Sequence, residues 1–376
     1  MRFRRASTHP TVSAKTFPQV LLLSLSLLLA VPHIQAQVIT PSAAQQATAP
    51  QADESPYTLH VYTDLVEIPT LVLSSTFQAF PLLRADTFNI TLDSGPPFHP
   101  THVRLEGDDP IDLAILLDTS SDAYTMQSVL RRSMLTFATE ALRPQDQVSI
   151  YAIDCAFIRS AEDVPANDTH RIAHDLEAAI DYPLLHVKGQ TRPHCAGSVK
   201  LWNTVATVAA SIHAMPGRRV ILVVSSGKDH HSSFKWRVLT HYAAVNSVSI
   251  FGLSLPPSFS SRPVLSYTNP EDPFQQICQL TGGIVLVSPL AGVLASMERF
   301  MELVRGRYIL EFPRPDTGSP GAHTIVVKLV GREAFIRTAG ITFPQADPAL
   351  RSDPATITNP PSPATFGTQR PVDPHR

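Results

Sequence analysis

The chain has 376 residues, 43 % of them hydrophobic and 16 % charged, with a formal net charge of −2. With 16 glycines it cannot place one at every third position, so a collagen-like rod is excluded. Its 3 cysteines exclude a disulfide-stapled miniprotein, and no basic excess advertises a nucleic-acid partner.

Arg2, Arg4, Arg5 and Lys15 give a basic start, and an apolar run follows over 20–31. That run suits a signal-peptide core and is shorter than the roughly 20 residues of a membrane span. Ile34-Gln35-Ala36 offers a small residue before a cut at Ala36/Gln37. Residues 1–36 therefore read as a secretion signal, the alternative being an uncleaved anchor. Cleavage removes four of the 30 basic residues and none of the 32 acidic ones, leaving −6. No other stretch approaches a membrane span, so no integral membrane segment is expected in the mature chain. Export places Cys155, Cys195 and Cys278 in an oxidising compartment. Three is odd, so at least one thiol stays free or pairs between chains. Cys155 and Cys195 fall in neighbouring loops and are the better pair; three unpaired thiols are the alternative.

Residues 37–56 are small, polar and proline-containing, and read as a disordered linker. Residues 57–106 show extended patterning around Leu59, Val61, Leu65, Val66, Ile68, Leu71 and Leu73, with another strand over 86–92, and read as an N-terminal β module. From 107 to 305 the chain alternates. Strands are expected at 111–117, 148–153, 220–224, 248–253 and 284–287, each a short apolar run suited to burial on both faces. Helices are expected at 124–142, 170–180, 201–215, 235–246, 274–281 and 292–304. In the first of these, Met126, Leu130, Met134, Phe137 and Ala141 keep steps of three and four. This alternation predicts an α/β domain, a mostly parallel sheet with helices on both faces. Residues 306–343 return to β, with strands over 307–312 and 323–329 joined by turns at 316–321, and a third at 335–338. They are expected to pack on the N-terminal module. Residues 344–376 are proline-rich and read as a disordered tail.

In such folds ligands sit beyond the carboxyl ends of the strands. The first α/β strand runs into Asp118-Thr119-Ser120-Ser121-Asp122. A carboxylate and a hydroxyl two residues apart, between a buried strand and a helix, are placed to face one ion. This resembles the von Willebrand factor A domain, whose metal-ion-dependent adhesion site reads Asp-x-Ser-x-Ser. Arg143-Pro144-Gln145-Asp146-Gln147-Val148 looks like the turn into that domain's second strand. The segment from Gly217 to Asp229 looks like its fourth strand, which usually ends in Thr-Asp-Gly. Thr63-Asp64-Leu65-Val66-Glu67-Ile68-Pro69, Ala85-Asp86-Thr87-Phe88 and the stretches Tyr308-Ile309-Leu310 and 321–327 resemble the flanks of an acidobacterial subgroup. The likeness covers about 57–343. It implies a Rossmann-like A domain and an exported, non-enzymatic module that binds a protein or a surface polymer.

The site departs from the family pattern. Asp118 and Ser120 match, Asp122 stands where a serine is usual, and Ser226 replaces the fourth-strand aspartate. The position of the family's threonine falls near Ser198 or Val199. Asp229, three residues past Ser226, is the remaining carboxylate in reach. A hard cation wants about six oxygens and compensating charge. The expectation is a degenerate site with no resident cofactor, or Mg²⁺ or Ca²⁺ held weakly, with Asp118 and Ser120 serving to cap the following helix. The alternatives are a metal-dependent hydrolase built on Asp118, Asp122 and Asp229, and a purely structural envelope component. Asp229-His230-His231 and the His170/His174 pair read as solvated loop and polar helix face rather than metal ligands. No local base marks Cys155 as activated. Nucleophile-elbow and phosphate-loop motifs are missing. Asn89-Ile90-Thr91 and Asn167-Asp168-Thr169 are formal glycosylation sequons. The loops 154–169, 183–199 and 256–273 are long for simple connections and are candidate contact surfaces.

Overall fold

The computed structural model describes residues 60–61, 65–119, 129–133, 136–137, 140–154, 156–185, 199–254, 264–265, 271–315, 321–340, 342–343, 356–357 and 367. All lie in the second of the chain's two units, Thr58–Arg376. The expected secretion signal and linker, Ser120, Asp122, Cys155 and Cys195, most of loop 183–199 and nearly all of loop 256–273 lie outside the described residues.

Three strands come first: β1 (Leu65–Leu73), β2 (Phe88–Leu92) and β3 (His102–Leu105). An alternating stretch follows. It comprises β4 (Ile111–Asp118), β5 (Gln147–Ile153), β6 (Phe157–Pro165), α1 (Thr169–Leu185), α2 (Leu201–Ile212) and β7 (Arg218–Val224). It continues with α3 (Trp236–Val245), β8 (Ser249–Ser254), β9 (Val264–Leu265), α4 (Pro273–Leu280), β10 (Val285–Val287) and α5 (Val293–Arg305). The last strands are β11 (Tyr308–Pro313), β12 (Ile325–Leu329) and β13 (Phe335–Thr338). Residues 129–133, 136–137 and 140, within the first expected helix, are helical.

The central sheet has seven strands in the order β9-β10-β8-β7-β4-β5-β6. The inner five run parallel, and β6 and β9 add antiparallel edges. Counted from β4, with the short β9 set aside, the order is 3-2-1-4-5-6, that of a doubly wound α/β fold. Burial explains the choice. Every residue of β4 is buried, and alternate side chains leave on opposite faces. Leu113, Ile115 and Leu117 enter one core with Leu176 of α1 and Met297 and Phe300 of α5. Ala114 and Leu116 enter a second core with Val205 of α2, Leu239 of α3 and Phe274 of α4. The α/β domain with helices on both faces is thus present.

The flanking strands form a small β sandwich. One sheet is β13-β1-β11-β3 and the other pairs β12 with β2. Val66, Ile68, Phe88, Ile90, Tyr308, Leu310, Phe312 and Val327 share its core. The turn expected to join the last two long strands as a hairpin does not pair them. β11 is buried at five of six positions, so it takes the centre of a sheet between β1 and β3. β12 pairs with β2 instead, held where Asp93 accepts the Thr324 N–H at 2.7 Å and contacts His323 Nδ1 at 2.7 Å. Within the tail expected to be disordered, Thr356–Ile357 pairs in parallel with His60–Val61, a β-branched pair completing a short ladder.

The loop expected over 154–169 is also corrected, because it contains β6. Ala161 and Val164 are buried while Arg159, Glu162 and Asp163 are exposed. Register shifts against β5 interrupt the two-residue period that would have marked a strand.

Polar side chains clamp the joints. Asp146, in the turn before β5, accepts the Ile111 N–H at 3.1 Å and the Arg143 N–H at 2.8 Å, and meets Arg305 Nη2 at 2.5 Å. Asp112 accepts the Gly217 N–H at 2.6 Å. Burial raises the Asp112 carboxyl above the ordinary 3.8, a rise that the Gly217 N–H partly offsets. A carboxyl raised in the folded state binds its proton more readily there than in the unfolded chain. Its ionised form therefore costs stability at neutral pH, and the cost disappears as pH falls through the raised value. Asp112→Asn is expected to melt higher than wild type at neutral pH, with the gap closing as the solution is acidified. Thermal melts across that range check the sign.

Candidate functional site

In a doubly wound sheet the crevice opens where the strand order reverses, beyond the carboxyl ends of the strands. Here that point lies between β4 and β7. The register pairs Leu117 with Val224, so the next residues, Asp118 and Ser225, stand side by side. Ser225 Oγ donates to Asp118 Oδ2 at 2.6 Å and accepts the Gly227 N–H at 3.1 Å. Asp118 is 3 % exposed and Ser225 is fully buried. Thr119 donates its N–H and its hydroxyl to the Ile153 carbonyl, at 2.8 and 3.2 Å. The ends of β4, β5 and β7 are therefore stitched together by side chains. Asp154, directly after β5, adds a second buried carboxylate at this rim.

Of the residues singled out in the sequence, Asp118 lies at the switch point. Ser226 stands one residue past its partner, half-buried, and its hydroxyl accepts the Lys228 N–H at 3.4 Å. Ser225 was missed. It is the hydroxyl that Asp118 contacts, and only the register between β4 and β7 reveals it, because both 225 and 226 are serine.

Asp229 has a different task. Lys200 precedes α2 and its side chain makes no capping bond. Asp229 supplies the cap from 27 positions away: Oδ1 accepts the Trp202 N–H at 3.1 Å and the Ser232 hydroxyl at 2.5 Å, and Oδ2 accepts the Ser232 N–H at 3.3 Å. A carboxylate at a helix start also meets the positive end of the dipole. Asp229→Ala is expected to cost about 1–2 kcal/mol, the range for a lost N-cap. Asp229→Asn, which keeps an acceptor, should recover most of it, as read by urea denaturation.

Backbone geometry fixes the loop between Ser225 and Asp229. Gly227 has φ +77°, and a Cβ there would lie 2.5 Å from Cδ1 of Phe274. The same ring lies 2.7 Å from where a Cβ on Gly252 would be. Phe274 packs between two glycines, with its ring 6.3 Å from that of Trp202. Its helix, α4, is capped by Asp272, whose Oδ1 accepts the Phe274 N–H at 2.9 Å.

A divalent cation with hard-ligand preference needs about six oxygens and more than one negative charge. Among the described residues, this rim offers the Asp118 and Asp154 carboxylates and serine hydroxyls. Asp229 is turned toward α2, and among the described residues no three His, Cys, Asp or Glu side chains are grouped to hold a metal. Ser120 and Asp122, the other two residues of the motif, lie outside the described residues. His230 donates its backbone N–H to Val199 O at 2.8 Å. His174 Nδ1 lies 3.0 Å from Asp175 Oδ1, and Arg171 pairs with the same carboxylate at 3.5 Å, across the polar face of α1. Cys278 is a free cysteine, fully buried in α4, and burial pushes its thiol well above the usual range.

No protein-family model matches the chain, and no curated protein matches it. Solved structures do. Proximal thread matrix protein 1 from the mussel byssus aligns at 8 % identity and a TM-score of 0.42, covering 57 % of this chain and 51 % of that one. BatB from Bacteroides thetaiotaomicron aligns at 13 % identity and 0.36, covering 52 % of this chain and 98 % of that one. The N-terminal domain of TFIIH p34 aligns at 16 % identity and 0.38, covering 51 % and 97 %. The chain spans about half the length of the mussel protein. The doubly wound strand order is what establishes the α/β fold. No described helix is long and apolar enough to cross a membrane.

Proposed function

We propose that this chain is an exported, non-enzymatic binding module of the von Willebrand factor A type, and that it contacts a protein or a surface polymer through the crevice at the β4/β7 switch point without a resident metal. The Asp118–Ser225 hydrogen bond at that crevice carries the reading. It satisfies the first-strand carboxylate with a protein hydroxyl, and the position where the family pattern has a second carboxylate holds Ser226. The basic start and apolar run before Ala36 support export, and the flanking motifs support the acidobacterial subgroup.

A hydrolase reading needs a metal-activated water, and its third carboxylate, Asp229, is engaged in capping α2. Titration calorimetry with magnesium chloride tests the metal-independent reading. The wild-type chain is expected to give no binding heat at micromolar concentration, and Ser226→Asp to gain it. Micromolar binding by wild type would overturn the reading. Capture of partners from the chain's own cell envelope should likewise survive EDTA and be lost with Asp118→Ala.

A further inference from the structure

Charge is unevenly divided along the chain. Residues 182–270 hold nine Lys or Arg and one acid, Asp229, while the rest of the chain holds 21 basic and 31 acidic residues. Arg218 and Arg219 lie at the amino-terminal end of β7. Lys200, Lys228, Lys235 and Arg237 instead lie on segments at its carboxyl end, and all four are exposed.

One loop assembles them. It leaves β7 at Ser225 and Ser226, beside the crevice, and crosses the start of α2. The His230 N–H donates to Val199 O at 2.8 Å, Ser232 Oγ accepts the Asn203 N–H at 3.2 Å, and the Phe234 N–H donates to Asn203 Oδ1 at 3.1 Å. These bonds bring Lys200 next to the exposed His230 and His231. The one acid of the segment does not neutralise this surface, because Asp229 spends its oxygens on the Trp202 N–H and on Ser232. Among the described residues, Lys200, Lys235 and Arg237 make no ion pair.

Two aromatic rings stand among these cations. Phe234 is 49 % exposed. Trp236 is half-buried against the second core, and the Arg237 guanidinium lies over its ring, 5.2 Å from the centroid. That stacking holds the guanidinium in place. A single exposed phenylalanine needs no explanation. Set between Lys235, Arg237 and the histidines, it belongs to a surface whose complement carries negative charge and apolar side chains together.

We propose that this loop and the starts of α2 and α3 bind an acidic polypeptide segment, its carboxylates on Lys200, Lys235 and Arg237 and an apolar side chain on Phe234. The proposal rests on the binding-module reading and names the partner's chemistry. A nucleic acid needs open aromatic faces for its bases, and a face of Trp236 already carries Arg237. An acidic polysaccharide brings no apolar side chain to cover Phe234.

The test titrates the full chain, by calorimetry, with a short peptide mixing glutamate and leucine, its glutamine counterpart, polygalacturonate and single-stranded DNA. The glutamate peptide is expected to bind, and to weaken about tenfold between roughly 20 and 200 mM salt. The glutamine peptide should bind at least about tenfold more weakly. Lys235→Glu with Arg237→Glu should cost at least about tenfold at an unchanged melting temperature, since both side chains are exposed. Phe234→Ala should cost about threefold or more. Lys328→Glu with Arg332→Glu, the same charge change at exposed positions on and beside β12, should leave binding unaltered. Equal binding of the two peptides would overturn the proposal, as would no binding up to about 1 mM. So would an equal loss in the Lys328/Arg332 variant, or tighter binding of the polysaccharide or the DNA. Envelope capture separates this inference from the reading beneath it. Equal capture of partners by wild type and the Lys235/Arg237 variant would overturn the inference and leave the binding-module reading standing, whereas peptide binding as expected with nothing captured would overturn that reading alone.

Discussion

Arg307→Met is expected to lose about 3–5 kcal/mol of folding stability, the cost of breaking a buried ion pair and leaving one charge behind. Arg307 is 1 % exposed and Glu106 is buried with it. The guanidinium meets both Glu106 oxygens and sends Nη1 to the Ser249 hydroxyl at 2.6 Å. These three residues belong to different parts of the fold. Glu106 follows β3 and Arg307 precedes β11, both in the sandwich, while Ser249 begins β8 in the α/β sheet. The pair therefore holds the two sheets together, and its loss should loosen the joint. Replacing both members, as Arg307→Met with Glu106→Leu, should return much of the loss, because a buried pair is often no more stabilising than well-packed apolar groups. Guanidinium denaturation of the four proteins in the cycle gives the coupling. A loss under about 1 kcal/mol in the single variant would show that solvent reaches the joint.

Phe274→Ala is the second large expectation, at about 3–5 kcal/mol for a buried phenylalanine. Its ring is 3 % exposed and fills the space over Gly227 and Gly252. Truncation leaves a cavity beneath the loop that carries Ser225 and Ser226, so the crevice loosens along with the core. The converse change, Gly227→Ala, imposes a side chain at φ +77° and drives its Cβ into the same ring. It should cost about 2–4 kcal/mol by combining left-handed strain with overpacking. The two variants together should cost less than their sum, since the smaller side chain at 274 makes room for the new methyl. Additive losses would show that Phe274 does not set the loop.

How much of this was legible differs by element. β4 announces itself because six of its eight residues are apolar, five of them consecutive, and all eight are buried. The cap of α4 is equally plain, since Asp272 and Pro273 are adjacent to the helix they start. The cap of α2 is invisible locally, because its acceptor, Asp229, is 27 positions away. The capping role of Asp229 was for that reason not legible in the sequence. β6 was hidden by the register shifts against β5 that break its period. The position of Asp118 was readable from motif and placement, whereas its contact with Ser225 rather than Ser226 depends on strand register, which no local pattern encodes.

The interleaving of the outer strands has a consequence for how the protein is made. Asp93 and Thr324, which fasten β2 to β12, are 231 residues apart, and β1 likewise waits for β11. While a ribosome or a translocation channel is still releasing the chain, the early strands have no partner and the sandwich cannot close. Such long-range pairing is slow and exposes strand edges in the meantime. The α/β layers, whose contacts are nearer in sequence, are thus free to assemble first, and the arrival of the last strands locks the molecule.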